Sequence, residues 1–206
     1  MSIYSIAPFI QTYYPEYWGR QSYPVKQCAR IRKAKEEWGV LGNFAKTPII
    51  VNGITFDCAE RLFHLMKLRT DSMEGIRQMM DGELHDQGIK MHMKHIQKHH
   101  ADWLRDDWPS MVLDAMKFCL VKKHEQSEVF RSELERSKGL FIVEDQTSFP
   151  KKEPDAWGVK PQGDNFVGPN LLGRFLMELR DKGTLTYRLP DDGLAFIEVL
   201  KAEQTA

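Results

Sequence analysis

The stretch TPIIVNGITFD, residues 47–57, constrains the fold more than any other part of the chain. Two β-branched runs flank Asn52-Gly53, a pair suited to a type I′ turn because both central positions need positive φ. The pattern predicts a hairpin near residues 48–56. It feeds without a linker into DCAERLFHLMK, residues 57–67, which has helical periodicity.

That helix poses the main functional question. Asp57 with Glu60 three residues later has the spacing of a capping box, in which each side chain satisfies a backbone amide of the first turn. Seven residues along a helix advance about 700°, so Glu60 and Lys67 nearly eclipse, with His64 close to the same line. Leu62, Leu65 and Met66 fall elsewhere, so the polar stripe is able to face a cleft. From spacing alone the capping reading leads, because the motif is common and polar stripes are more often solvated than catalytic.

Further along, a helix is expected through GIKMHMKHIQKHH, residues 88–100. In DWPSMVLDAMKFCLVKK, residues 107–123, Pro109 falls where helix position N1 is expected, followed by an apolar face at Met111, Ala115 and Phe118 or Cys119. SEVFRSELERSKG, residues 127–139, reads as a helix stopped by Gly139. LFIVED, residues 140–145, reads as a buried strand. In NLLGRFLMELRDKG, Asn170 is the expected N-cap, Leu171, Leu172, Phe175, Leu176 and Leu179 form the apolar stripe, and Gly183 is the stop. The tail after 184 adds a short element or frays. The first 38 residues are tyrosine-rich and then basic, with RIRKAK at 30–35 in an exposed segment.

Lysine plus arginine equals aspartate plus glutamate, for a formal net charge of zero. That excludes a uniformly basic nucleic-acid coat, though not a local patch. The three cysteines form no CxxC pair, which argues against a disulfide framework or zinc knuckle and for a reducing compartment. MSIYSIAPFI lacks the features of a signal peptide, and no apolar run approaches the roughly 20 residues of a membrane span. A soluble, cytoplasmic protein with no membrane partner is expected.

The segment TSFPKKEPDAWGVKPQGDNFVGPN, residues 147–170, is rich in proline and glycine and is expected to be a long loop. Loops of this length inside a domain are commonly functional or disordered, and glycines permit close approach to a ligand. Asp155-Ala156-Trp157-Gly158 and Asp107-Trp108 pair an acid with tryptophan. Such rings either pack in the core or offer a flat surface to a base. Five of the seven histidines lie between 85 and 100, and His92, His95 and His99 share a helical face. Metal binding is the minor reading, because no carboxylate or cysteine completes the set. A basic, pH-sensitive surface suited to a phosphate backbone is preferred.

Taken in order, GVLGNFAKTPIIVNGITFDCAERLFHLMK, LRDDWPSMVLDAMKFCLVKKHEQ, GLFIVED, DAWG and GDNFVGPNLLGRFLMELR resemble the NADAR family across residues 36–182. Each motif is weak alone; five in the family's order are specific. Gly42 stands where that family usually has serine, and His64 where it often has glutamine. The resemblance implies a mainly helical α+β fold, with a single compact domain over 36–183, an N-terminal extension over 1–35 and a C-terminal tail over 184–206. It also implies N-glycosidase activity on ribosylated heterocycles, with no cofactor and no metal. Carried over by position, the family's functional residues fall on Asn43, Glu60, Lys67, Trp108, Asp155, Trp157, Asn170 and Arg174.

Cleavage of a ribose C1–N bond develops positive charge at C1, which a carboxylate stabilises or relieves by activating water. Glu60, held on a helix, is preferred for this over Asp155. Lys67 holds an oxygen as a cation or attacks C1 as a neutral amine; Glu60 beside it raises its pKa, so the second role requires desolvation to dominate. Trp108 and Trp157 suit stacking on the base, and Asn43, Phe44, Gly158, Asn170 and Arg174 suit substrate binding. The favoured substrate is ADP-ribosyl-guanine in DNA, an antitoxin or repair role paired with a DNA ADP-ribosyltransferase. Its support is the NGI turn, the LLGRFLMELR ending and the basic stretches Arg30–Lys35 and Lys90–His100. The alternatives are a small aminopyrimidine ribose phosphate of riboflavin biosynthesis, or a non-catalytic ADP-ribose or nucleotide-binding module.

Overall fold

The computed structural model describes residues 6–82 and 86–204; His85 of the histidine-rich stretch, and the extreme ends of the extension and tail, lie outside them. In chain order the elements are α1 (Ile6–Tyr13), β1 (Gln21–Pro24), β2 (Cys28–Ile31), β3 (Ile49–Val51), β4 (Ile54–Phe56), α2 (Ala59–Leu65) and α3 (Met73–Asp81). Then follow α4 (Asp86–His99), α5 (Trp108–Gln126), α6 (Glu128–Arg136), β5 (Phe141–Glu144), β6 (Lys160–Gln162), β7 (Asn165–Gly168), α7 (Leu171–Lys182) and α8 (Phe196–Gln204). This is the mainly helical α+β class expected. Among the described residues, no helix is long and apolar enough to cross a membrane. The chain forms two compact units, one of residues 1–45 and 128–185 and the other of residues 46–127 and 186–206.

In the second unit, β3 and β4 pair antiparallel with Ile49 opposite Phe56 and Val51 opposite Ile54. Asn52 and Gly53 take φ of 49° and 88°, as the turn chemistry requires. The period-two pattern buries Ile49, Val51, Ile54 and Phe56. Gln126 at the end of α5 closes the free edge of β3: its Oε1 accepts from the Ile50 amide at 2.8 Å and its Nε2 donates to the Ile50 carbonyl at 2.9 Å. Helix α5 buries residues around most of its circumference, including Met111, Ala115, Phe118 and Cys119, and so forms the unit's centre. It begins one residue earlier than expected, with Asp107 at N-cap and Pro109 at the second helical position. The tail contributes α8, whose Phe196, Ile197 and Leu200 are buried.

The first unit holds the remaining strands. β2 and β5 run parallel, with Ala29 opposite Ile142. RIRKAK is therefore not wholly an exposed segment: Arg30 and Ile31 belong to β2, Ile31 is buried, and Arg30 Nη2 meets the buried Asp145 carboxylate at 2.6 Å. Residues 147–170 are not a continuous loop either. β6 and β7 form a hairpin around Gly163-Asp164, and β1 adds to β7 to complete a three-stranded sheet. Pro161 is tolerated because β6 is an edge strand. α7 packs on β5, and Gly173 permits it: a Cβ there would run into the Ile142 carbonyl oxygen.

Candidate active site

The helix carrying Glu60 is not held by a capping box. Cys58 occupies the N-cap position, and neither it nor Asp57 caps the first turn through its side chain. Asp57 instead accepts two hydrogen bonds from Arg61, at 2.7 and 2.8 Å. Arg61 is buried and also donates to the carbonyls of Met79, Met80 and Gly82, so it closes the C-terminus of α3. The capping expectation fails because a distant set of orphan carbonyls claims Arg61, and Arg61 claims Asp57. Glu60 has no structural duty of that kind.

Glu60, His64 and Lys67 do share a line. The Glu60 side chain is 13% exposed and that of His64 9%, and His64 Nε2 lies 3.1 Å from Glu60 Oε1. The backbone tightens after His64, with the Lys67 amide bonded to the His64 carbonyl. Lys67 Nζ then stands 4.6 Å from the centre of the Phe63 ring and 5.3 Å from that of Trp108. Those rings meet edge to face at 5.1 Å. Trp108 is buried, and its ring packs under Lys67. Leu62, Leu65 and Met66 fill the core, as the helical wheel requires.

Burial sets the charge states. Burial pushes the Glu60 carboxyl up, but His64 and the Lys90 and Lys67 charges hold it down to about 2. Burial and the Lys67 charge push His64 down to about 4, against the pull of Glu60. Burial pushes Lys67 down to about 8, again against Glu60. Desolvation thus outweighs the neighbouring carboxylate, opposite to the rise expected from proximity. At neutral pH the line reads anion, neutral imidazole, cation. Lys90 on α4 and the Phe63 ring join this group unforeseen. No local pattern marks Lys90, because only the packing of α4 on α2 brings its charge to bear on Glu60.

The other candidates lie in the first unit. Asn43, buried, and Phe44, half-buried, follow the turn of residues 39–41. Asp155 Oδ1 accepts from Gln146 Nε2 at 2.6 Å and from the Trp157 amide at 2.9 Å, which fixes the DAWG turn. Gly158 lies where a Cβ would strike the Glu144 carbonyl and the Gln146 side chain. Asn170 occupies the N-cap of α7 with φ 54°, yet its side chain does not cap. It bridges to β5, accepting from the Glu144 amide at 3.1 Å and donating to the Ile142 carbonyl at 2.9 Å. Arg174 donates to the Tyr17 carbonyl at 3.0 Å and lies over the Tyr17 ring. The Tyr17 and Trp157 rings each meet Phe175 edge-on, at 5.4 and 6.5 Å. Tyr17, from the tyrosine-rich opening, was not among the sequence candidates.

A cleft of about 380 Å³ in the second unit is lined by Arg69, Asp71, Arg105, Asp106, Asp107 and Asp192, among others. None of the candidate residues lines it, and Arg105 is already bound by Asp107 and Asp192 at 2.7 and 2.8 Å. The histidine-rich helix end carries His95 and His99 exposed, their rings 4.8 Å apart, and His100 stacked on Trp103 at 3.9 Å.

The profile of the NADAR domain matches residues 30–182. N-glycosidase YbiA of Shigella boydii serotype 4 (strain Sb227) is 30% identical over 149 residues, covering 71% of this chain and 82% of that protein. N-glycosidase YbiA of Escherichia coli (strain K12) has the same identity and coverage. The NMR structure of the E. coli protein YbiA superposes with a TM-score of 0.58 at 24% identity, over 76% of this chain and 84% of that one. The chain belongs to the NADAR domain family, and it is an N-glycosidase.

Proposed function

We propose that the protein hydrolyses the C1–N bond of a small ribosylated pyrimidine, with Glu60 as the carboxylate at the reacting centre. The observation that carries this reading is the line of Glu60, His64 and Lys67 along α2 and the turn that follows it, a charged group that serves no cap. As the base departs, positive charge develops at C1 and the ring oxygen. A carboxylate with a pKa near 2 is a poor proton acceptor but a permanent anion, so Glu60 acts by stabilising that charge. Its low-dielectric surroundings strengthen the effect. Lys67 remains mostly cationic at neutral pH, and the Phe63 and Trp108 faces favour the cation. Its role is to hold a phosphate or hydroxyl oxygen of the substrate rather than to attack C1.

The charge distribution favours a small substrate. In the basic stretch Arg30–Lys35, Arg30 is bound to Asp145, and Arg32 and Lys33 pair with Glu36 at 3.3 and 3.8 Å. Little positive charge is left there for a phosphate backbone. The second reading, removal of ADP-ribose from guanine in DNA with a DNA ADP-ribosyltransferase as functional partner, draws on a different observation. Lys94, His95, Lys98 and His99 are all exposed at one end of α4. The test is to incubate the protein separately with an aminopyrimidine ribose phosphate and with ADP-ribosylated DNA and to follow release of the free sugar compound. Turnover of the small substrate, unchanged between low and moderate salt, is expected. Release from the DNA alone, falling steeply with salt, supports the second reading. Release from neither overturns both.

A further inference from the structure

We infer that His64 is a positioning residue for Glu60: as a neutral imidazole it turns an N–H toward Oε1 and leaves the other carboxylate oxygen for the developing charge at C1. The inference rests on the reading of Glu60 given above. Its basis is the 3.1 Å approach of Nε2 to Oε1 between two side chains that are each about nine-tenths buried. Among the described residues, neither nitrogen of His64 has an aligned hydrogen-bond partner. The contact is near in distance but off line, a geometry that catalytic pairs adopt before substrate arrives.

The position is expensive for packing alone. Leu62, Leu65 and Met66 around it are fully buried, and a methionine or leucine at 64 would fill similar space without burying two polar atoms. The tautomer follows from the charges. Nε2 faces a carboxylate, so it carries the proton, and Nδ1 is left as the acceptor. Protonating the second nitrogen is opposed by burial and by Lys67. Among the described residues, the charged groups acting on the ring are Glu60 of its own helix, Lys67 of the turn that follows it and Lys90 of α4. From α5, the Cys119 thiol lies close enough to Glu60 to feel its charge, and burial keeps that thiol neutral. His64 is therefore a fixed neutral donor across the physiological range. Removing it leaves Glu60 buried without that donor, which raises its pKa and frees its side chain to rotate.

The experiment uses His64→Met, which deletes the donor while keeping the volume, His64→Leu as a second such variant, and His64→Gln, whose amide can still donate. The readouts are the kcat–pH profile on the aminopyrimidine ribose phosphate, the melting temperature, and the carboxyl ¹³C titration of Glu60 assigned against Glu60→Gln. The Met and Leu variants are expected to melt no lower than wild type, to lose about tenfold or more in kcat at neutral pH, and to move both the acid limb and the Glu60 titration up by about one unit. His64→Gln is expected to recover kcat to within about threefold. A wild-type profile and Glu60 titration in the Met and Leu variants, or a Gln variant as impaired as they are, overturns the inference. If the Glu60 titration moves while Glu60→Gln stays active, the pairing stands and the catalytic reading of Glu60 fails.

Discussion

Glu60, His64 and Lys67 form a charge pattern whose pH behaviour follows from burial. His64 and Glu60 both have folded pKa values below their unfolded ones, so on the acid side the unfolded chain binds protons first. Stability is therefore lost as pH falls, from 6.5 through 4 for His64 and from 4.5 through 2 for Glu60. The His64 contribution is on the order of 3 kcal/mol, and it is expected to be missing from urea titrations of His64→Met between pH 6.5 and 4. Lys67 works in the same direction at higher pH. Its folded pKa of about 8 lies below 10.5, so it adds stability as pH rises between those values. At neutral pH roughly one Lys67 in ten is neutral. Borohydride added during turnover is accordingly expected to trap no adduct at Lys67; a covalent sugar adduct there would make it the nucleophile. The helical wheel made this line visible in the sequence, since three side chains at i, i+4 and i+7 need only a helix to meet. The wheel could not show that burial outweighs the Glu60 charge at Lys67, nor that Lys90 arrives from α4.

At the scale of elements, local chemistry and distant chemistry were legible to different degrees. The β3–β4 hairpin could be read because Asn52-Gly53 dictates its own turn. The capping box could not be judged, because its fate depended on Arg61 reaching carbonyls near residues 79–82. The β6–β7 hairpin escaped although Gly163-Asp164 is a fair two-residue turn. Lys160–Gln162 lacks β-branched residues and contains Pro161, and its pairing is completed by β1 from far upstream. The junction of α7 with β5 is where the fold tolerates least change. Asn170→Ala removes two hydrogen bonds to β5 from a residue at positive φ, and a loss of about 2–4 kcal/mol is expected by urea denaturation. Gly173→Ala forces a methyl toward the Ile142 carbonyl, and about 1–3 kcal/mol is expected. A Gly173→Ala protein of wild-type stability would mean that α7 can withdraw from the strand.

Across the whole molecule, the proposed small substrate accords with zero net charge and with the pairing of Arg30 and Arg32 inside the fold. Family membership was legible in the order of five motifs spread along the chain, each too short to identify anything alone, and the NADAR match over residues 30–182 spans parts of both compact units. Substrate choice was not legible. Sequence counts every charge alike, whereas the fold binds some arginines internally, as it does Arg30 and Arg32. Release of free sugar compound by Glu60→Gln, measured beside its melting temperature, decides whether Glu60 stands at the reacting centre. With Glu60 as the proposed carboxylate at the reacting centre and no cap resting on it, kcat is expected to fall at least about a thousandfold with the melting transition near that of wild type. Retained turnover accompanied by a fall of several degrees would show that Glu60 serves the helix and that the bond is broken by another residue.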